Sequence, residues 1–315
     1  MENSPAGWVA TTCIARCLLR LAALRIVAIG KLLLLLAPRQ SQNSTHSTSR
    51  SAADSRLNMS LDKPAQTIPL TPTPHPADLA FFASATHDCA YLSGQSAATV
   101  FADPQAPMDV STYSALAEIG FRRSGSHVYT PHCPACRACV PTRLPVAAFQ
   151  PNRNQRRTQN RAADFSIDIG EAVFNDEAFA LYQKYISHRH ADGGMNDSSP
   201  EKYLEFLSSD WSHTEFVQFR WQGQLIAVAV QDVLTRGLSA VYTFFDPDFS
   251  SISLGRYTLL WQIAETRRRQ LPWLFLGYWI GDCQKMLYKQ EYRPIELFQK
   301  GCWQRYDRAQ TLPSP

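Results

Sequence analysis

The chain has 315 residues and an apolar content of 45%, which is enough for one large or two ordinary globular domains. Its formal net charge is +4, but residues 1–58 carry +5 and residues 59–315 carry −1. The larger part is therefore neutral overall, which excludes any argument for a nucleic-acid or membrane partner from bulk charge alone.

Residues 1–58 are predicted to be a disordered or artefactual extension. Their apolar run is interrupted by a base every four to six residues, and each base costs about 2.5 to 3.5 kcal/mol near a bilayer centre. A signal peptide is disfavoured because Glu2 lies where a basic region belongs. Residues 40–58 have the Ser/Thr/Asn-rich composition of disorder, and Met59 is the predicted true start. An amphipathic helix at a membrane surface is the alternative.

Residues 59–164 are predicted to form an N-terminal domain rich in cysteine and arginine, after a proline-punctuated lead-in over 63–76. Composition and spacing predict helices over 78–86 and 109–120, strands over 98–102 and 126–130, and a basic helix or connector over 150–163.

Three thiols, Cys133, Cys136 and Cys139, lie within seven residues, and Cys89 is the natural fourth thiol upstream. A C-x2-C pair directs two sulfurs at one ion, so these four residues, the cysteine cluster, predict a zinc or iron-sulfur site. The spacing does not decide between the two metals. Two histidines are alternative fourth ligands, His127 and His132. Reduced core thiols or disulfides are the other interpretation.

Between Glu118 and Asp164 the chain contains eight arginines and no acidic residue. Guanidinium groups bind phosphate oxygens bidentately and keep their charge, so this stretch predicts a surface for an RNA backbone. The predicted tRNA contacts are Arg122, Arg123, Arg137, Arg143, Arg153, Arg156 and Arg157.

Residues 165–305 are predicted to form a second, catalytic domain, and residues 306–315 a disordered tail. Predicted strands cover 165–169, 215–221, 224–234, 238–245 and 274–278, and predicted helices cover 176–188, 200–207, 254–269 and 282–289. A meander whose last strand enters a loop and a helix is typical of GNAT-like acyltransferases, in which loop amides face an anionic part of the donor. The predicted fold class is therefore α+β, with a cysteine-containing N-terminal domain followed by a GNAT-like domain of mixed, largely antiparallel sheet and flanking helices.

Several short blocks occur together and in order between Cys89 and Trp303. They are Cys89–Leu92, Gly120–Gly125 with the cysteine cluster, Tyr242–Pro247, Ser253–Gly255, Gly277–Ile280, Lys285–Lys289 and Tyr292–Pro294. These blocks closely resemble the arginyl-tRNA-protein transferase family, and most of all its bacterial aspartate/glutamate leucyltransferase branch. Eukaryotic members use four cysteines, two of them in the counterpart of Cys89–Leu92, where this chain has Leu92 in place of the second.

The resemblance implies a soluble, cytoplasmic enzyme of the N-degron pathway. Such an enzyme moves an aminoacyl group, here most simply leucine from leucyl-tRNA, to proteins whose first residue is Asp or Glu, without a membrane partner. The donor is an activated ester and the acceptor amine has a pKa of about 7.7 to 8.0, so direct attack needs positioning and proton removal but no cofactor. Cys283 is interpreted as a core thiol rather than a nucleophile.

An acidic first residue requires cations in the acceptor pocket. The predicted substrate-binding set is Lys285, Tyr288, Lys289 and Arg293, with Arg189 and His190 as a second set. The predicted catalytic residues are Tyr242, Asp246, Ser253 and Gly255. Asp246 or Glu118 would orient the amine or take its proton, Tyr242 and Tyr278 would offer hydroxyls, and Ser253 to Gly255 would offer backbone amides.

Three alternatives remain open at this point. Arginine instead of leucine would keep the family and change the donor. A metal-containing RNA-binding module without catalysis would explain the arginines and cysteines but not the strand, loop and helix over 242–260. An acetyl-CoA N-acetyltransferase would require a stronger glycine-rich pyrophosphate loop than residues 250–255 supply.

Overall fold

The structure is a computed structural model that describes residues 79–189 and 199–313, together with the backbone of one short strand, Ile26–Val27. The predictions for the rest of residues 1–58 and for the lead-in over 63–76 lie outside the described residues. Among the helices that are described, none is long and apolar enough to cross a membrane.

Fifteen strands and five α-helices make up the described chain. The strands are β1 Ile26–Val27, β2 Phe81–Ala83, β3 His87–Asp88, β4 Ser96–Ala97, β5 Thr99–Ala102, β6 Arg122–Ser124, β7 His127–Pro131, β8 Val140–Pro145, β9 Ser166–Glu171, β10 Thr214–Trp221, β11 Gln224–Leu234, β12 Gly237–Phe245, β13 Trp273–Trp279, β14 Ile295–Gln299 and β15 Cys302–Tyr306. The helices are α1 Val110–Glu118, α2 Arg153–Arg161, α3 Asp176–Arg189, α4 Pro200–Leu207 and α5 Leu254–Arg268. Three short 3-10 helices cover Val146–Ala148, Pro247–Ile252 and Leu287–Glu291.

The main sheet has eight strands in the order β15-β14-β8-β13-β12-β11-β10-β9. Strands β12 and β13 run parallel, and the other neighbours in this sheet run antiparallel. This arrangement confirms the predicted α+β class with a mixed, largely antiparallel sheet. A second sheet has the order β1-β2-β5-β7-β6, and β3 pairs with β4 alone.

Helices cover both faces of the main sheet over β10 to β12. Phe216, Val228 and Val230 face a cluster that includes residues of α3 and α4, whereas Val217 and Ala227 pack in a cluster with the start of α5. Because β11 is buried on both faces, its apolar residues form a nearly continuous run instead of alternating with polar ones.

Local capping signals fix several helix starts. Asp109 accepts a 2.7 Å hydrogen bond from the Thr112 amide at the start of α1, and Ser199 caps α4 ahead of Pro200. The undecided stretch over 150–163 is a helix, α2, because Asn152 and Gln155 form a reciprocal capping box.

Two predicted helices are wrong. Residues 78–86 contain β2, in which Phe81 and Phe82 pair with Ala102 and Phe101 of β5, so strand pairing overrides the local pattern. Residues 282–289 form turns that lead into the 3-10 helix Leu287–Glu291.

The predicted boundary at residue 164 does not separate the two large sheets. Strand β8 lies between β13 and β14, and its Leu144 is fully buried in the core beneath α5. The tail predicted to be disordered also makes contacts, since Leu312 packs against that core and Arg293 donates hydrogen bonds to the carbonyl oxygens of Asp307 and Gln310.

Candidate active site

The two parallel strands β12 and β13 pair over only three residues, from Gly237 opposite Trp273 to Ser239 opposite Phe275. Beyond that point the strands diverge. A bulge shifts the register of β12 against β11 between Ala240 and Tyr242, and β13 shifts against β8 near Gly277. The main sheet is therefore split at its centre.

A cavity of about 600 Å³ lies at this split. Its walls come from the diverging ends of β12 and β13, the first turn of α5, the end of α3, β6 and β7, and residues 285–292. Elements from both halves of the chain thus converge on one pocket of the size that binds small ligands or chain ends.

Basic side chains outnumber acidic ones in the walls of this cavity, although Asp232 neutralises the charge of Arg123. Among the described residues its lining contains six bases, Arg122, Arg123, Arg189, Arg256, Lys285 and Lys289. Its one acidic residue is Glu291, which pairs with Arg256 at 3.3 Å. A pocket with this balance favours anionic ligands.

Tyr242, a predicted catalytic residue, lines the cavity within a group of aromatic rings. Its ring lies 5.2 Å from that of Phe206 and 6.3 Å from that of Tyr185, measured between centroids. Burial raises the pKa of Tyr242, so its phenol stays protonated at neutral pH. It is suited to hydrogen bonding and not to removing a proton.

Ser253 and Gly255 also line the cavity, at the start of α5. Ser253 has left-handed backbone angles, φ 60° and ψ 55°, which turn the chain from the 3-10 helix into α5. A Cβ on Gly255 would lie 3.3 Å from the Phe245 ring, so the turn packs closely on β12. Backbone amides at a helix start attract negative charge, so the position of these two residues is compatible with their predicted role, which stays a prediction.

Asp246 does not line the cavity, which contradicts its predicted position beside the reacting amine. Its carboxylate is buried, pairs with Lys184 at 2.6 Å and accepts a hydrogen bond from the Asp248 amide. Glu118, the other predicted proton acceptor, pairs with Arg143 at 2.5 Å and lies outside the lining too. Both carboxylates stabilise the fold.

Four of the predicted substrate-binding residues lie together in the cavity wall: Arg189, Lys285, Tyr288 and Lys289. Arg293 is not among them, because its guanidinium holds the carbonyl oxygens of Gln290, Asp307 and Gln310. His190 lies outside the described residues.

Of the two lysines in the cavity wall, Lys289 is buried and Lys285 is exposed. The Nζ of Lys289 donates hydrogen bonds to the carbonyl oxygen of Tyr278 and, at 3.4 Å, to the sulfur of Met286. Burial and, next, the charge of Arg122 lower the pKa of Lys289 to about 7.

Three arginines predicted to bind tRNA are buried, which removes them from any RNA surface. Arg123 bonds both carboxylate oxygens of Asp232, at 2.7 and 2.8 Å. Arg143 pairs with Glu118 and Glu296 between the rings of Trp273 and Trp303. Arg122 donates to the carbonyl oxygens of Ala117, Phe121 and Thr142, and its burial lowers its pKa.

The remaining predicted tRNA contacts divide into two groups. Arg137 donates to the carbonyl oxygens of Cys133 and Cys136, so it braces the loop that carries the cysteines. Arg153, Arg156 and Arg157 are exposed on α2, and they remain available to a phosphate backbone.

The four thiols of the cysteine cluster lie close together. Burial raises the pKa of Cys139 to about 12, and the nearby thiols of Cys133, Cys89, Cys136 and Cys283 add to this rise. Within the described ranges, however, no three Cys, His, Asp or Glu side chains are arranged to hold a metal ion. The thiols as placed therefore do not form a metal site, and a metal at this position stays a prediction.

Sequence reasoning missed Arg256 and Tyr185 as cavity residues. Arg256 directly follows the Ser253–Gly255 block, so its position in the first turn of α5 was an available signal. Tyr185 had none, because it lies on an amphipathic helix whose other tyrosine, Tyr182, packs in the core.

Comparison with known proteins agrees with this geometry. Residues 177–299 match the family model described as the C terminus of arginine-tRNA-protein transferase, and residues 87–157 match its N terminus. An aspartate/glutamate leucyltransferase of Pseudomonas paraeruginosa is 52% identical over 227 residues, which cover 72% of this chain and 97% of the relative. One of Pseudomonas fluorescens is 51% identical with the same coverage.

The matches to both family models and the 52% identity make the chain an aminoacyl-transfer enzyme, and both matched regions contribute residues to the central cavity. The chain belongs to the arginine-tRNA-protein transferase family, and to its bacterial branch.

Solved structures are more distant. FemX gives a TM-score of 0.38 at 10% identity, over 67% of this chain and 84% of that one. The C-terminal domain of a lysylphosphatidylglycerol synthetase from Agrobacterium fabrum gives 0.36 at 16% identity, over 53% and 51%. Likeness at this level carries no argument about function.

Proposed function

We propose that this enzyme transfers leucine from leucyl-tRNA to the N-terminal amine of proteins that begin with Asp or Glu, in the cytoplasm, and so marks them for degradation. The observation that carries the proposal is the cationic cavity at the split between β12 and β13. The 52% identity to an aspartate/glutamate leucyltransferase supports the same assignment. The GNAT-like architecture predicted from the sequence fits a sheet split next to a helix start.

The acidic side chain of the acceptor would bind Arg189 and Lys285. Both are exposed at the cavity, and within the described part of the chain neither pairs with a carboxylate. A guanidinium and an ammonium facing one carboxylate also reject an amide, because an uncharged group leaves both cations without a counter-charge.

The aminoacyl ester would lie against the start of α5. The Ser253 amide donates to the Ser250 carbonyl oxygen. The amides of Leu254 and Gly255 and the side chain of Arg256 are therefore the donors suited to the phosphate of the ester or to the charge that develops on the ester oxygen. Leu259 and Leu276 line the same cavity and offer apolar surface to a leucyl side chain. The described walls contain one acidic residue that could bind an arginyl side chain, Glu291. It is already paired with Arg256, so the cavity favours leucine over arginine.

The tRNA body would contact α2. Its exposed arginines carry positive charge, and the chain contains no acidic residue from residue 119 to residue 163. This surface replaces the broader arginine surface predicted from the sequence.

The test is a transfer assay with radiolabelled leucyl-tRNA or arginyl-tRNA and peptides that begin with Asp, Glu, Asn or Ala. We expect label to move from leucyl-tRNA to the Asp and Glu peptides alone. Transfer of arginine instead would keep the enzyme class and overturn the donor. Equal transfer to all four peptides would overturn acidic recognition.

A further inference from the structure

Attack on an ester requires the acceptor nitrogen to be neutral, and most of an α-amine with a pKa of about 7.7 to 8.0 is protonated at pH 7, so a group near the cavity that takes this proton would speed the reaction. Carboxylates are the usual acceptors, but Asp246 and Glu118 lie outside the cavity and Glu291 is paired with Arg256. The lining phenols Tyr242 and Tyr278 have raised pKa values because of burial, so they stay protonated.

We propose that Lys289 is the proton acceptor of the reaction, an inference that rests on the proposed aminoacyl transfer. Its Nζ lies near the point where β13 diverges from β12, since a Cβ on Gly277 would be 4.0 Å from it. Gly277, with φ +72°, leaves that space open.

The hydrogen bonds of Lys289 match a neutral amine. Among the described residues, Nζ has two acceptors, the carbonyl oxygen of Tyr278 and the sulfur of Met286. A neutral amine donates two hydrogen bonds and keeps a lone pair, whereas an ammonium needs a third acceptor. The lone pair of the neutral form remains available to a substrate proton.

The groups around Lys289 support the neutral state on balance. Burial disfavours the ammonium most, and Arg122 of β6 adds like-charge repulsion. The Cys283 thiol, on the turn after β13, acts in the opposite direction. The Tyr288 ring, 5.8 Å from Nζ, favours a cation only weakly. The resulting pKa of about 7 places the amine close to the working pH, where a general base is most effective.

The proton balance is complete with this one group. Lys289 takes one proton from the α-ammonium, and the freed nitrogen forms the C–N bond to the ester carbonyl. The C–O bond to the ribose then breaks. Of the three ammonium protons, one stays on the new amide, one ends on the ribose hydroxyl, and the one held by Lys289 leaves to water.

The test compares two acceptor peptides, one beginning with Asp and one with 3,3-difluoroaspartate. The fluorines lower the pKa of the α-amine. The amine of the fluorinated peptide is therefore neutral when it binds, and its attack needs no base. In single-turnover transfer at pH 7 we expect Lys289→Gln to slow the Asp peptide by up to about tenfold, because about a tenth of its α-amine is neutral without a base, and to slow the fluorinated peptide by less than about twofold. Lys300→Gln, at an exposed lysine in the β14–β15 turn, should leave both rates unchanged.

Equal slowing of both acceptors by Lys289→Gln would overturn the inference and assign Lys289 to structure alone. The proposed function is tested separately by the wild-type protein, which must transfer leucine to the unmodified Asp peptide. These two failures are therefore distinguishable.

A second measurement does not depend on activity. The folded pKa of Lys289, about 7, is below the ordinary value of about 10.4, so the unfolded chain binds the extra proton between these pH values. Stability should therefore rise with pH across this window. Lys289→Met should remove that part of the rise in urea denaturation from pH 7 to pH 10. Identical slopes for wild type and variant would show that Lys289 is not neutral when folded, which would overturn the inference.

Discussion

At the scale of single residues, the least exposed charges hold the two sheets together. Arg123 of β6 reaches both carboxylate oxygens of Asp232 on β11, and it also donates to the Leu207 carbonyl at the end of α4. The Thr214 hydroxyl donates to the same carboxylate at 2.7 Å. Each buried group is satisfied by the others, so removing one member leaves an uncompensated charge.

We expect Arg123→Met to lower the free energy of unfolding by about 3 to 5 kcal/mol, because Asp232 would remain buried without its partner. Urea denaturation measures the loss. Arg157→Met, at an exposed arginine of α2, should change stability by less than about 0.5 kcal/mol. Equal stability of the two variants would contradict the assigned role of Arg123.

The roles of these arginines could not be read from the sequence. Arg123 and Arg143 stand in an acid-free stretch, and the carboxylates of Asp232 and Glu296 that pair with them are more than 100 residues away. Local composition thus predicted an exposed surface where the fold makes buried pairs. Ser253 and Gly255 were located correctly because a loop before a helix is a local signal.

At the scale of elements, α2 carries most of the exposed arginines of the arginine-rich stretch. Two side chains of this helix are buried, Gln155 and Thr158. Gln155 closes the capping box and anchors the helix. The arginines at 153, 156 and 157 face solvent. A helix anchored in this way presents its charges on a fixed surface.

Replacing Arg153, Arg156 and Arg157 together by Ala should weaken tRNA binding and reduce its salt dependence. Each lost phosphate contact reduces the magnitude of the slope of log K against log salt by about 0.7 to 0.9, or by about 2 to 3 for three contacts. A filter-binding titration over several salt concentrations measures both. Replacing Arg236, Lys300 and Arg305, three exposed bases elsewhere, is the matched control. Equal slopes for the two triple variants would remove α2 from the tRNA surface.

Elements with local signals were predicted well, and elements defined by distant partners were not. Helix α4 covers the predicted residues 200–207, with Ser199 and Pro200 at its start, and β10 and β11 cover the strands predicted over 215–221 and 224–234. Strands β8, β14 and β15 were missed. Proline interrupts β8, and its neighbours β13 and β14 lie far along the chain.

At the scale of the whole molecule, the cysteine-bearing loop supports one wall of the cavity. Ala138, Ile280 and Cys283 form a small buried cluster, against which Cys136, Cys139 and Met286 pack. From Ile280 and Cys283 the chain continues to Lys285 and Lys289, which line the cavity. A change at the cysteines would therefore alter the cavity without touching a substrate.

Elemental analysis of anaerobically purified protein tests the metal predicted for these cysteines. The sequence-based prediction requires zinc or iron in the wild type, its loss in Cys136→Ser, and lower thermal stability of that variant, whereas thiols that stay as the structure places them would leave the wild type metal-free. Cys302→Ser, in β15, should keep the metal. Metal-free wild type would refute the prediction.

The overall class was predictable, but the way the two halves combine was not. Alternating and apolar strands over 215–245 indicated an antiparallel meander, and the main sheet confirms it. The insertion of β8 beside β13 brings Arg122 and Tyr129 to the cavity from the first half of the chain. Pairing across more than 120 residues leaves no trace in local periodicity.

The central claim is that the cavity between β12 and β13 selectively binds an acidic N-terminal residue of the acceptor. The most direct test is the ratio of kcat/KM for a peptide beginning with Asp to that for one beginning with Asn, in wild type and in the double variant Arg189→Gln with Lys285→Gln. We predict a large ratio in the wild type that falls by at least about 100-fold in the variant, since charge-assisted hydrogen bonds contribute about 1.5 to 3 kcal/mol each. A variant that still prefers Asp over Asn as strongly as the wild type would contradict the account.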